Sequence, residues 1–229
     1  IAAELDENPD EILDYDLTLF DTSAGCVFGA SDEFLSAGRI DDLEMAHCAV
    51  TALTASCTND PQPQATTRVM AIFDNEETGS GTKQGAASPV LKTILQRINA
   101  ALGGNDETFF RGVASSFMIS ADNGHATHPN YESKQDPTNH PVLGGGPVIK
   151  INANCKYMTD AESSAVFQEI CHEAGVPVQF FVNHSDVAGG STLGNILTSQ
   201  LDLRGVDMGA PQLAMHSCRE TAAVADHLY

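Results

Sequence analysis

Residues 69–73, Val-Met-Ala-Ile-Phe, place five apolar side chains in a row and then deliver Asp74-Asn75-Glu76-Glu77. A strand with one wet face alternates apolar and polar residues, so an unbroken run predicts a strand covered on both sides. A fold that covers a strand twice needs helices on both faces of a sheet. Phe117 to Ser120 reads as another buried strand, ending at Asp122, and Val148 to Ile151 returns as a strand. Amphipathic stretches of helical period separate these runs, and this alternation is the α/β signature.

Along the chain, Leu17 to Ala30 reads as two strands around a Ser-Ala-Gly turn. Asp42 to Cys57 reads as a helix with Leu43, Ala46, Val50, Leu53 and Cys57 on its buried face. Residues 88–102 read as a helix closed by Gly103-Gly104. The polar stretch 123–146, with the run Gly144-Gly145-Gly146, reads as an extended loop over the site. A helix at 160–174, a strand from Val176 to Val182, and a short helix opened by Gly189-Gly190-Ser191-Thr192 follow. Leu203 to Asp207 is predicted as the last strand and Arg219 to Leu228 as the closing helix.

Where strands should end stand carboxylates or an imidazole: Asp41, Glu76 and Glu77, Asp122, and His216. Ligands of open α/β sheets bind beyond the carboxyl ends of strands. Two cations a few ångström apart need a carboxylate that bridges them and terminal oxygen and imidazole ligands. They also need a further carboxylate, free to take a proton from a shared water. Glu76 and Glu77 suit a division of those tasks, because adjacent side chains on extended backbone point to opposite sides. Taken singly, Asp41 serves as a helix N-cap, Glu76-Glu77 as a solvated turn, Asp122 as a turn former and His216 as a core histidine.

The formal charge is −20 over 229 residues, and no basic run interrupts it. Such a field opposes nucleic acid and anionic membrane surfaces, and no segment approaches the 18 or so apolar residues of a membrane span. Six cysteines without a CxxC pair read as reduced, buried thiols of a cytoplasmic protein rather than a disulfide framework. The length suits one domain with a sizeable core.

Four blocks carry a more specific message. They are Ser36-Ala37-Gly38-Arg39-Ile40-Asp41-Asp42-Leu43, Phe73 to Ser80, Ile119 to Tyr131, and Pro211-Gln212-Leu213-Ala214-Met215-His216-Ser217. Together they resemble the aspartyl aminopeptidase family of cocatalytic zinc exopeptidases, and the likeness runs over essentially the whole chain. It implies an α/β fold with a mixed twisted sheet flanked by helices, of the zinc-exopeptidase (phosphorylase/hydrolase-like) kind. It also implies two zinc ions, for which Mn or Co could substitute, with Asp41 bridging, Glu77 and His216 on one ion and Asp122 on the other. Glu76 resembles the general base. His125 and His128 resemble substrate-contacting imidazoles, though both also suit a surface loop. Lys150 resembles a cation near the substrate side chain, and reads equally as a strand-end surface lysine.

The resemblance implies hydrolysis of N-terminal, acidic residues from peptides and assembly into a homo-oligomer, possibly a large shell. Two departures accompany it. Asp42 stands where the family usually has Asn, which adds negative charge beside the bridging carboxylate. The histidine motif that supplies the remaining ligand of the Asp122 ion, and the inserted dimerisation domain after it, have no counterpart in residues 1–229. The chain is therefore expected to be a single catalytic α/β domain lacking its N-terminal portion. A catalytically defective assembly subunit of the same fold is the alternative.

Overall fold

The computed structural model describes residues 1–59 and 66–229. In chain order it contains α1 (Ala2–Leu5), β1 (Cys26–Phe28), β2 (Phe34–Ala37), α2 (Ile40–Asn59), α3 (Val90–Ala101), α4 (Asp106–Ala114), β3 (Phe117–Ala121) and β4 (Gly124–His125). There follow β5 (Val148–Ile151), α5 (Ala161–Ala174), β6 (Gln179–Val182), α6 (Leu193–Thr198), β7 (Arg204–Gly209), β8 (Pro211–Leu213), β9 (Glu220–Ala223) and α7 (Val224–Leu228). The α/β expectation holds.

Four strands form a mixed sheet in the order β3-β7-β5-β6, and five form a second in the order β1-β2-β9-β8-β4. The two sheets are joined through a continuous parallel ladder. β3 runs alongside β7, and β4 runs alongside β8. Between these pairs Asp122 N–H donates to Met208 O and Gly124 N–H to Ala210 O. Asp122 therefore sits on a seam held by ladder bonds above and below it. Gly209 makes that close approach possible, because a side-chain carbon there would collide with the carbonyl of Asp122.

The core of the four-stranded sheet is Ile149 and Val206 packed against Phe167 and Cys171 of α5. That helix is well specified at both ends. Asp160 caps its first turn reciprocally with Ser163, and Gly175 closes it in the left-handed region. A second cluster joins Phe109 and Val113 of α4 to Leu201.

Several expectations are corrected. Residues 69–73 pair with no strand among the described residues, and Val69 and Ile72 are exposed. The pattern predicts a covered strand, but here no neighbour lies alongside to accept its backbone. Residues 17–25 likewise lack strand pairing, and the predicted double strand reduces to β1, which pairs with β2. Helix α4 was not expected, and β7 is followed by two more strands. The predicted closing helix begins as β9 and turns helical only at Val224. Leu43 and Val50 of α2 are exposed, while Glu44 and Met45 are buried, so the helix packs on a face rotated from its apolar stripe. All six cysteines are free, but Cys26, Cys57, Cys155 and Cys218 are exposed rather than buried.

Candidate metal centre

Asp41 enters from the start of α2, where its own backbone and that of Asp42 depart from helical geometry. Its N–H donates to Glu220 Oε2 at 3.0 Å. The other oxygen of Glu220 accepts from the N–H of His216 at 2.7 Å. One buried carboxylate, only 1% exposed, thus ties together the backbones that present Asp41 and His216. The tie opposes real strain. Ala214 and His216 both have φ near +60°, a region that costs non-glycine residues on the order of 1 kcal/mol each.

The Asp74–Glu77 segment is a turn rather than extended backbone. Gly79 N–H donates to Glu76 O, and the Asn75 side chain donates to Thr82 Oγ1. In this turn the charge of Glu77 acts on the carboxyl group of Glu76.

His216 Nε2 stands 2.7 Å from Glu77 Oε1 and 3.1 Å from Asp41 Oδ2. Asp41, Asp42 and Asp122 form a second convergence, with one oxygen from each within 4.8 Å of the others. Asp41 belongs to both groups. The donor chemistry of the first group fits zinc, with two carboxylate oxygens and one imidazole, while the second offers carboxylates alone and shares Asp41 with the first. A tetrahedral zinc with bonds of about 2.0–2.1 Å spaces its ligands roughly 3.3 Å apart, close to the separations in the first group. His216 and Glu77 keep more than half of their side-chain surface, so the cluster opens to solvent.

Crowded carboxylates push one another's pKa upward. Burial, then the charges of Asp122 and Glu77, raises Asp41 to about 7. Burial and the charges of Asp122 and Asp41 raise Asp42 to about 9, so it holds its proton at neutral pH in the metal-free protein. Asp42 therefore adds less negative charge there than its position implies. Burial and the neighbouring Glu77 raise Glu76 as well, the direction a general base near neutrality requires.

Lys150 lies outside the open part of the site. It is 3% exposed, and its Nζ donates to Asp122 Oδ2 at 2.6 Å and to Asn123 O at 2.9 Å. Asn123 is a second hub: its N–H donates to Asp42 Oδ1 and its amide to Glu44 Oε2. His125 feels the charges of Lys150, His216 and Asp122, and its ring lies 6.2 Å from that of Phe181. Partial desolvation by its neighbours and the Lys150 charge lower its pKa, although His125 keeps an exposed face. His128 sits further along the loop, its ring 5.0 Å from Tyr131.

Thus Asp41, Glu76, Glu77, Asp122 and His216 are brought together, with His125 beside them. Sequence reasoning missed Glu220 and Asn123. Glu220 lies four residues after His216, and Asn123 follows Asp122 directly; adjacency to the suspected ligands was the only signal available.

Comparison with known proteins bears on this arrangement. The family profile described as Aminopeptidase I zinc metalloprotease (M18) matches residues 1–229. A probable M18 family aminopeptidase 2 of Clostridium novyi is 50% identical over 229 residues, covering 100% of this chain and 52% of the relative. An aspartyl aminopeptidase of Aspergillus oryzae is 41% identical over 242 residues, covering 99% of this chain and 48% of the relative. Among solved structures, the one titled as the Ape4 and Nbr1 complex superposes with a TM-score of 0.87 at 39% identity, covering 92% of this chain and 40% of that one. An S. cerevisiae mApe1 dodecamer gives 0.75 at 28% identity, covering 91% and 46%. The chain spans about half the length of the curated relatives it matches. Fold, cluster and full-length match lead to one conclusion: the chain belongs to the M18 family of zinc metalloproteases.

Proposed function

We propose that the protein is a zinc-dependent aminopeptidase that removes N-terminal residues, acidic ones preferentially, from peptides. The observation that carries this reading is the sharing of Asp41 between two convergent ligand groups, with Glu76 beside them. Asp41, Glu77 and His216 would hold one ion, and Asp41 with Asp122 the other. When bound, the two ions supply Lewis-acid polarisation of the scissile carbonyl and acidify a water.

The remaining tasks fall to the chain. Glu76 takes the proton of the attacking water at its carboxylate and passes it to the leaving amine, which needs a pKa between those of the two. Glu220 fixes the separation of Asp41 and His216 through their backbones. Lys150 balances the charge of Asp122 and holds its carboxylate in place. The carboxylate-rich rim suits the ammonium group of a peptide N-terminus, whose charge it complements.

The names of the aspartyl aminopeptidase relatives support the acidic preference, and the dodecameric neighbour supports assembly into a homo-oligomer. Free cysteines accord with a reducing, cytoplasmic setting. Among the described residues no helix is long and apolar enough to cross a membrane.

The test is hydrolysis of aspartyl, glutamyl, alanyl and lysyl dipeptides by the zinc-loaded, full-length protein. Faster release of Asp and Glu than of Ala supports the reading. Cleavage without acidic preference removes the specificity, and no cleavage by zinc-loaded protein removes the activity.

A further inference from the structure

Beyond His125 lies a cavity of about 260 Å³, lined by His125, His128, Tyr131, Lys134, Phe181 and Asn183 among others. It is large enough for one amino-acid side chain and part of its backbone. The His125 ring forms its near wall, turned to Phe181 on one side and feeling the charges of Asp122 and His216 on the other. His125 thus belongs to the lining of the cavity and is also within the electrostatic reach of Asp122 and His216.

Its chemistry differs from that of the cluster. Phe181, 5% exposed, and Tyr131 give apolar walls. Asn183 Oδ1 is buried without a donor, and a buried acceptor left unpaired is costly unless a ligand supplies an N–H. Lys134 lies with its Nζ 5.5 Å from the Tyr131 ring centre. Among the described residues it has no carboxylate within ion-pair distance. Lys150, by contrast, is fully engaged by Asp122 and Asn123. In a chain of charge −20, Lys134 is the cation available to an anionic group entering this cavity.

Resting on the aminopeptidase reading, we infer that this cavity receives the substrate residue after the scissile bond, and that Lys134 favours an acidic side chain there. The assignment to that residue follows from charge and reach. The substrate's terminal ammonium belongs among the carboxylates, so the residue that bears it stays at the cluster. An extended peptide advances roughly 3.5 Å per residue, which carries the next one past the His125 ring. Its amide N–H is the kind of donor Asn183 lacks, and its carboxylate meets Lys134 at the cavity mouth.

The experiment compares kcat/KM for Asp-Asp-Ala and Asp-Asn-Ala, reading appearance of the dipeptide product, in zinc-loaded full-length protein and its K134Q and K134R variants. The two peptides share shape and differ in charge at the second position. Wild type is expected to favour the aspartyl peptide about two- to fivefold, the scale of a partly exposed ion pair. K134Q brings the ratio close to one, and K134R restores it. A ratio near one in wild type, or one that K134Q leaves intact, overturns the assignment while leaving the aminopeptidase reading standing. If wild type cleaves neither these peptides nor an aspartyl dipeptide, the aminopeptidase reading fails and this inference falls with it.

Discussion

Glu76 and Glu77 are neighbours in one turn yet are assigned different work, and the difference rests on what each touches. Glu77 reaches His216 at 2.7 Å and is poised to ligate. Glu76 is pushed up by burial and by Glu77, which suits a group that takes and returns a proton. Replacing Glu76 with Gln keeps the shape and removes the base. Turnover is expected to fall by about 10²–10⁴-fold with zinc content unaltered, checked by steady-state kinetics beside elemental analysis. Zinc lost together with activity would instead make Glu76 a ligand.

Glu220 makes the opposite case, because it contacts only backbone. Gln at this position keeps one acceptor and loses the other, so either Asp41 or His216 is released from its partner. Zinc affinity is expected to weaken about 10- to 100-fold, measured by competition with a chelator, since groups that orient ligands typically matter by that much. Asp41, Glu77, Asp122 and His216 were legible because residue type and motif announce them. Glu220 was not, since its bond to Asp41 spans 179 positions and no local pattern encodes it.

At the scale of elements, periodicity read the sheet better than it read the helices' faces. β3 and β5 were legible as strands, although β3 lies at the sheet edge and leaves Phe117 and Ile119 exposed rather than buried as expected, and α3 and α5 were legible from their period and end signals. Helix α4 carries its own signal in Asn105 and Thr108, which cap each other reciprocally, but its short apolar pattern was passed over. The stripe on α2 misled for a physical reason. Glu44 turns inward to bond Asn123 and Met45 follows it, so polar ties rather than apolar area set the rotation of the helix. β9 was hidden by its alanines, which suit a helix locally and are overridden by pairing with β2 and β8.

The glycine run 144–146 depends on such a tie as well. Asp226 of α7 accepts from the N–H groups of Gly144 and Gly146 at 2.7 and 2.8 Å. Burial raises its pKa above the ordinary carboxylate value despite those bonds. The sign follows. An acid whose pKa is higher folded than unfolded stabilises the fold fully below its unfolded pKa, and that contribution is lost as pH rises through the folded value. Asp226→Asn does not titrate, so its melting temperature is expected to gain on wild type as pH rises from about 4 toward neutrality. A difference that stays constant across that range would contradict the assignment.

For the molecule as a whole, acid is both solvent-facing surplus and concentrated machinery. Most of the 31 acidic residues keep the surface anionic, while a handful converge on one seam between two sheets. That seam explains how the proposed ligands can come from positions as far apart as 41, 77, 122 and 216. β3 and β7 cross it side by side, Gly209 admits the close approach of Asp122, and Glu220 joins the start of α2 to the turn bearing His216. The α/β class could be read in advance, and so could the residues that the fold brings together as the proposed ligand set. The exposed run 69–73 could not, because apolar spacing reports that a segment suits burial and says nothing of which strand lies beside it.

The proposed sharing of Asp41 by two ions fixes a stoichiometry. Zinc per polypeptide, measured by elemental analysis on full-length wild type and on Asp41→Asn, tests it most directly. Two zinc ions per chain are expected in wild type and fewer than one in the variant, because losing a shared ligand weakens both positions together. A wild type without zinc, or a variant that still holds two, would contradict it.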